Sequence, residues 1–264
     1  MKCREVIEIL EGLSPVEYAC DWDNVGLLVG RREKEIRRVM IALDASRRIV
    51  ERAVEEKVDL LITHHPMIFS PVKRWTEDDF VSDKALMLAE NGICYYAMHT
   101  NFDAVGGMAE LAAGPRFLKL SDVSPIEECG EPGIGMGRYG KLPNPMTAGE
   151  AAEYIKDRFG LSFVLLYQDA EQSGRRFERI AVMPGSGKSD IRRVKACGYD
   201  LFLTGDIGHH DGLDAMDMGV TVIDATHYGL EHIFVSFLAG YLGERVGDQM
   251  EIMEADLGSP VSVR

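Results

Sequence analysis

Asp59-Leu60-Leu61-Ile62-Thr63-His64-His65-Pro66 is the stretch that decides the fold of this chain. An apolar run that stops at two imidazoles and a proline describes a strand buried on both faces, with polar side chains at its carboxyl end. Proline biases His65 away from helical backbone, so the chain leaves the strand extended or turning. Upstream lies a similar run, Val39-Met40-Ile41-Ala42-Leu43. Between the two runs, Ser46 to Glu56 places Ile49, Ala53 and Val54 at helical spacing behind a Ser46 cap. Strand, helix and strand in this order make a parallel βαβ unit, to which Ile93-Cys94-Tyr95-Tyr96-Ala97-Met98 adds a third strand.

The pattern returns in the second half. Asp200-Leu201-Phe202-Leu203-Thr204 matches Asp59 to Thr63 at an offset of 141 residues, and Ile180-Ala181-Val182-Met183 matches the Val39 run at the same offset. A helical stretch from Ser189 to Ala196 lies between them, and Val220 to Ala225 answers Ile93 to Met98. Three matches in order indicate a duplication. The expected fold is therefore α/β, two related lobes with mainly parallel sheets. The first lobe is expected over residues 1–127, with His64, His65 and Asp103, and the second over 128–264, with His227 and Glu231. The glycine-rich stretch Cys129 to Gly140 between them reads as a hinge or hairpin, and Thr147 with Glu150 as the capping box of a helix to about Phe159.

Composition narrows the function. Of 264 residues, 43 are acidic and 29 are Lys or Arg, a formal charge of −14. That balance argues against a nucleic-acid or membrane-surface binder, both of which need clustered basic residues. Five scattered cysteines without a CxxC pair read as thiols of a reducing compartment. Met1 to Glu5 opens no signal peptide, and the apolar stretch from Ile233 to Leu242 is too short to span a bilayer. A cytoplasmic protein is expected.

The chemistry gathers just past the strand ends, where sites of parallel α/β sheets lie. His64 and His65 end one strand, and neighbouring side chains there point to different sides, so each could serve a different ion. His227 and Glu231 follow another strand at a four-residue spacing that a helix turns onto one face, and His99 with Asp103 repeats that spacing. Taken together, His64, His65, Asp103, His227 and Glu231 offer nitrogen and carboxylate ligands without cysteine. Such a set suits zinc, iron, manganese, cobalt or nickel. Five side chains can serve two ions if one carboxylate bridges, and Glu231, the longer carboxylate, could span that gap. Ions so paired can lower the pKa of a shared water. His99, His209 and His210 are the candidates for proton transfer. Asp44 is a weaker candidate, and Asp23 and Asn24 could line a pocket. Gly185-Ser186-Gly187-Lys188-Ser189 ends like a phosphate loop, but Val182 stands where that motif needs glycine, so an ordinary strand-to-helix turn is expected.

Asp23-Asn24-Val25-Gly26-Leu27, Ile62-Thr63-His64-His65-Pro66, His99-Thr100-Asn101-Phe102-Asp103, Thr204-Gly205-Asp206 with His209-His210, and Asp224-Ala225-Thr226-His227-Tyr228-x-x-Glu231 follow one another in order. This series resembles the NIF-three-like family of dinuclear-metal proteins, often catalogued as GTP cyclohydrolase 1 type 2 homologs. The resemblance runs from about residue 5 to about residue 245. It implies a toroidal homohexamer with two divalent ions per subunit, held by the same five side chains with Glu231 bridging, and the compact form without an inserted domain. Two functions compete: metal-dependent hydrolysis of a nucleotide-like small molecule, with GTP ring opening the named candidate, and a non-catalytic metal-binding or regulatory scaffold. Polar groups beyond what two ions need, namely His99, Asp206, His209 and His210, favour hydrolysis.

Overall fold

The structure is a computed structural model that describes residues 1–129 and 131–264. The chain divides into two units, Met1–Val105 with His232–Leu257, and Gly106–Glu231 with Gly258–Arg264.

The first unit is built on a five-stranded sheet in the order Gly26–Val29, Cys94–Ala97, Leu60–His65, Arg38–Asp44, Glu251–Glu254. The last four are parallel, and Gly26–Val29 closes one edge antiparallel to Cys94–Ala97. The two-residue period of a strand puts Met40, Ala42, Leu61, Tyr95 and Ala97 in one apolar cluster. That cluster takes in Ile49, Val50 and Ala53 of helix Arg47–Glu55, and Ala85 and Leu88 of helix Phe80–Glu90. The first of these helices starts where expected, with the Ser46 hydroxyl accepting the Ile49 N–H at 3.4 Å. Helix Ile233–Val246 packs on strands Arg38–Asp44 and Glu251–Glu254. Its Phe234, Leu238 and Leu242 are fully buried, each such side chain contributing about 1.5–3 kcal/mol of transfer free energy.

The second unit holds a six-stranded sheet ordered Ser121–Ser124, Arg138–Thr147, Arg176–Ser186, Leu201–Gly205, Thr221–Asp224, Leu165–Tyr167. Arg176–Ser186, Leu201–Gly205 and Thr221–Asp224 are parallel, Arg138–Thr147 and Leu165–Tyr167 are antiparallel to them on either side, and Ser121–Ser124 pairs antiparallel with Arg138–Thr147. The mixed α/β class with parallel sheet centres is thus the observed one, and strands Ser121–Ser124 to Arg138–Thr147 occupy the stretch where an inserted domain would lie.

The repeat extends to register. Met40 faces Leu61 and Ile41 faces Ile62; in the second unit Ala181 faces Phe202 and Val182 faces Leu203, the same pairs 141 residues on. In both units an antiparallel edge strand covers the third parallel strand. The glycine-rich stretch forms a hairpin in which Glu127–Glu128 pairs with Gly135–Met136; Gly130 lies outside the described residues. Helix Ala148–Phe159 carries the expected capping box, Glu150 N–H donating to Thr147 Oγ1 at 3.2 Å and Thr147 N–H to Glu150 Oε2 at 2.8 Å. No helix among the described residues is long and apolar enough to cross a membrane.

Close approach governs one helix contact in the second unit. Helix His209–Asp217 is seated against the ring of Tyr167 at Gly212, where any Cβ would collide with the ring. Tyr167 is in turn held by its hydroxyl, which donates to the Ile207 carbonyl at 2.9 Å. Gly212→Ala is predicted to destabilise the second unit by about 1–3 kcal/mol, the usual cost of overpacking, measured as a lowered urea midpoint. An unchanged midpoint would contradict the contact.

Candidate metal centre

The central strand of the first unit ends in its two histidines. His64 is fully buried and its Nδ1 lies 2.7 Å from the Met98 carbonyl oxygen. A carbonyl only accepts, so Nδ1 carries the proton and the lone pair sits on Nε2. His65 follows directly, its ring turned to lie beside that of His64 rather than on the opposite side, and its Nδ1 donates to Asp44 Oδ1 at 2.8 Å. The turn after the pair is held by Tyr95, whose hydroxyl accepts the Met67 N–H at 2.7 Å and donates to the His65 carbonyl at 3.1 Å. Burial pushes the Tyr95 phenol up to about 12, against the hydrogen bonds from Thr63 and Met67, so it keeps its proton.

His99 stands just ahead of the short helix Thr100–Ala104 and joins these two rings. Ring centroids lie 4.9 Å apart for His64 and His65, 5.2 Å for His64 and His99, and 5.5 Å for His65 and His99. One nitrogen from each of the three can be drawn from a group lying within 4.8 Å of one another, close enough to share a metal ion. His99 Nδ1 is 3.0 Å from both carboxylate oxygens of Asp23. Asp23 also accepts the Thr100 N–H at 3.0 Å and the Thr100 hydroxyl at 2.6 Å. Burial alone would raise the Asp23 pKa; the hydrogen bonds from His99 and Thr100 outweigh it and hold the carboxyl down to about 2. Asp103, on that helix, brings Oδ1 to 3.6 Å from His64 Nε2. His99 caps this helix, and the Asp103 N–H donates to the His99 carbonyl at 3.0 Å.

In the second unit His227 and Glu231 begin and end the helix His227–Glu231, with Nε2 and Oε2 3.0 Å apart. His227 Nδ1 donates to Asp206 Oδ2 at 2.8 Å, and the Glu231 side chain is buried. Room for this pair comes from glycine: at Gly185, with φ of +76°, a Cβ would stand 2.8 Å from Glu231 Oε1 and 3.7 Å from His227 Nε2. The phosphate-loop-like segment is accordingly a strand-to-helix turn, its Gly187 N–H donating to Thr204 Oγ1 at 2.9 Å. Asp206 and Thr226 both hold positive φ, 59° and 64°. These are costly conformations that persist where surrounding structure imposes them. The buried Asp224 does so here, accepting the Ile207 and Thr226 N–H groups at 2.8 Å each. Burial raises its pKa despite those two bonds. His209 and His210 stand exposed in the first turn of their helix, rings 5.2 Å apart.

The structure thus brings together His64, His65, His99 and Asp103 in one unit, and His227 with Glu231 in the other. Five partners escaped the sequence reading or were underrated by it: Asp23, Asp44, Asp224, the Met98 carbonyl, and Gly185 as clearance rather than anion loop. Asp206, counted from sequence as spare polarity, is spent on orienting His227.

Two α/β units with histidine and carboxylate donors at strand ends define a class of candidate metal-binding proteins. Residues 1–258 match the Duf34/NIF3 (NGG1p interacting factor 3) family model, and the chain belongs to that family. It is 31% identical to a GTP cyclohydrolase 1 type 2 homolog of Clostridium perfringens, over 96% of this chain and 95% of that protein. Among solved structures it is similar to reduced HcgD from Methanocaldococcus jannaschii, with a TM-score of 0.83 and 31% identity over 96% of this chain and 97% of that one. A Bacillus cereus protein related to NIF3 shares the fold, with a TM-score of 0.90 at 21% identity, covering 100% of this chain and 99% of that one.

The Asp23 geometry makes a titration prediction. Its folded pKa of about 2 lies below the ordinary 3.8, so the carboxylate's stabilising contribution is complete above pH 3.8 and lost as pH falls through 2. The carbon resonance of the Asp23 carboxyl is expected to titrate near pH 2 in the wild type and higher in Thr100→Val. A wild-type midpoint at or above 3.8 would contradict the bonding described.

Proposed function

We propose that the chain is a dinuclear divalent-metal protein in which His64, His65, Asp103, His227 and Glu231 hold the two ions, and that it hydrolyses a nucleotide-like small molecule. The observation that carries this reading is the common treatment of the imidazoles. His64, His65 and His227 each spend Nδ1–H on a carbonyl or carboxylate oxygen, the arrangement that orients a metal-ligating histidine and raises the basicity of Nε2. The donor set fits zinc, iron, manganese, cobalt or nickel. Glu231, with two oxygens and the clearance over Gly185, is the residue to bridge.

Bound divalent ions would supply Lewis acidity and a water of lowered pKa. The chain's own residues do the rest. Asp23 fixes the His99 ring through Nδ1, which leaves Nε2 as the atom that takes or returns a proton. His209 and His210, exposed on their helix, are kept as further proton carriers. The names carried by relatives make GTP the first substrate to test.

One observation favours the second reading, a site that holds metal without turnover. Asp206, one of the four polar groups that suggested catalysis, is engaged with His227 and serves orientation.

Elemental analysis of protein purified without chelator is expected to find two ions per chain, falling by at least half in Glu231→Ala and in the His64→Ala/His65→Ala double variant. Equal content in the wild type and Glu231→Ala contradicts the bridging role. In the metal-loaded enzyme, His99→Ala is expected to lower GTP turnover about 10²–10⁴-fold with metal content unchanged. No turnover by the wild type across nucleotides and phosphoesters would move the assignment to the non-catalytic reading.

We also infer assembly into a closed homohexamer, which rests on family membership. Of the apolar residues of helix Ile233–Val246, Ile233, Phe234, Leu238 and Leu242 are buried within the single chain and Phe237 is half-buried, so the helix adds little to that inference. Light scattering at micromolar concentration should give about six times the 29.3 kDa chain mass; a monomer would reject the ring.

A further inference from the structure

Two aromatic side chains beside the histidine cluster are exposed where an apolar ring gains nothing from water. Trp22 is 59% and Phe69 52% exposed, with ring centroids 5.7 Å apart and planes inclined at 42°. Trp22 also meets His99 edge-on, at 6.1 Å and 72°. Scattered exposed aromatics are ordinary on protein surfaces. This pair is different because both loops carrying it are pinned by polar contacts next to the rings. Asp23, adjacent to Trp22, is locked onto His99 and Thr100. The Asn24 side chain crosses to the Ile68 carbonyl at 2.6 Å, tying the Trp22 loop to the residue before Phe69. On the other side, Tyr95 holds Met67. The rings are therefore presented without loop-ordering cost, as a preorganised binding surface would be.

The chemistry of the two loops selects the occupant. Neither the stretch 20–26 nor the stretch 64–72 contains Lys or Arg, while Asp21 and Asp23 flank Trp22. The two loops themselves therefore offer a phosphate group no cationic side chain. A flat, uncharged heteroaromatic ring would stack on the indole or phenyl face, and from there its edge would reach His99. We infer that Trp22 and Phe69 form the platform on which the planar base of the small-molecule substrate stacks, presenting that base to His99. This rests on the nucleotide-like substrate proposed above, and it assigns the recognition of the base rather than of the phosphates.

The test uses the full-length, metal-loaded protein with three probes: GTP, guanosine and inorganic tripolyphosphate. Trp22→Ala and Phe69→Ala are each expected to raise the Kd for GTP and guanosine roughly tenfold, the usual loss when one stacked base loses its aromatic partner, and to leave the tripolyphosphate Kd unchanged. Trp22→Phe should restore most of the affinity. With Trp75→Phe leaving Trp22 as the single tryptophan, guanosine should quench its emission. GTP binding that ignores both alanine variants overturns the platform and leaves the hydrolase reading standing. Weakened binding of guanosine by a protein that never turns over GTP supports the platform and removes the hydrolase. If the variants change the mass in light scattering but not nucleotide affinity, the pair is a contact between copies of the chain and the inference fails.

Discussion

A neutral imidazole has one N–H and one lone pair, and the partner chosen for the first decides where the second points. That constraint organises this molecule. Met98, Asp44, Asp206 and Asp23 each place an oxygen within 2.7–3.0 Å of a histidine Nδ1. Each partner stands at or beyond a strand end, so the sheets set the histidine orientations. Strand Arg38–Asp44 delivers Asp44 beside His65 because their strands are in register there, Asp44 facing His65. Residue 206 in the second unit corresponds to His65 under the 141-residue repeat. There an aspartate orients His227, so the repeat has kept the position and changed the role.

The rest of the site follows from what those orientations demand of the backbone. Glu231 needs space that only a glycine at 185 leaves, and His227 needs a turn that Thr226 enters at positive φ. Asp224 secures that turn and the Asp206 turn together, with both oxygens used on backbone N–H groups. A buried carboxyl bonded in this way is a positioning group, and its raised pKa reflects the burial it accepts.

Much of this was legible in the sequence, for physical reasons that differ by element. The parallel strands announce themselves because strands buried on both faces are continuous apolar runs, and the repeat at 141 residues located the second set from the first. The ligand candidates stood out in the sequence because histidines and carboxylates recur just past the ends of the buried strands, where sites of parallel α/β sheets lie. Strand Glu251–Glu254 was not, since a sheet edge with Glu251, Met253 and Glu254 has neither an apolar run nor strict alternation, and its partner Arg38–Asp44 is more than 200 residues away. Arg138–Thr147 was hidden by its prolines and glycine, which an antiparallel strand tolerates here and a sequence pattern penalises. The role of Asp23 was out of reach as well: its partners, His99 and Thr100, are joined to it only by the fold.

The proposed function requires a pair of divalent ions on His64, His65, Asp103, His227 and Glu231. Anomalous X-ray diffraction at the zinc edge, from crystals of the full chain grown with zinc, tests it most directly. Two anomalous peaks per chain, lying among His64, His65, Asp103, His227 and Glu231, are the predicted result. A single peak, or peaks at any other set of side chains, would contradict it.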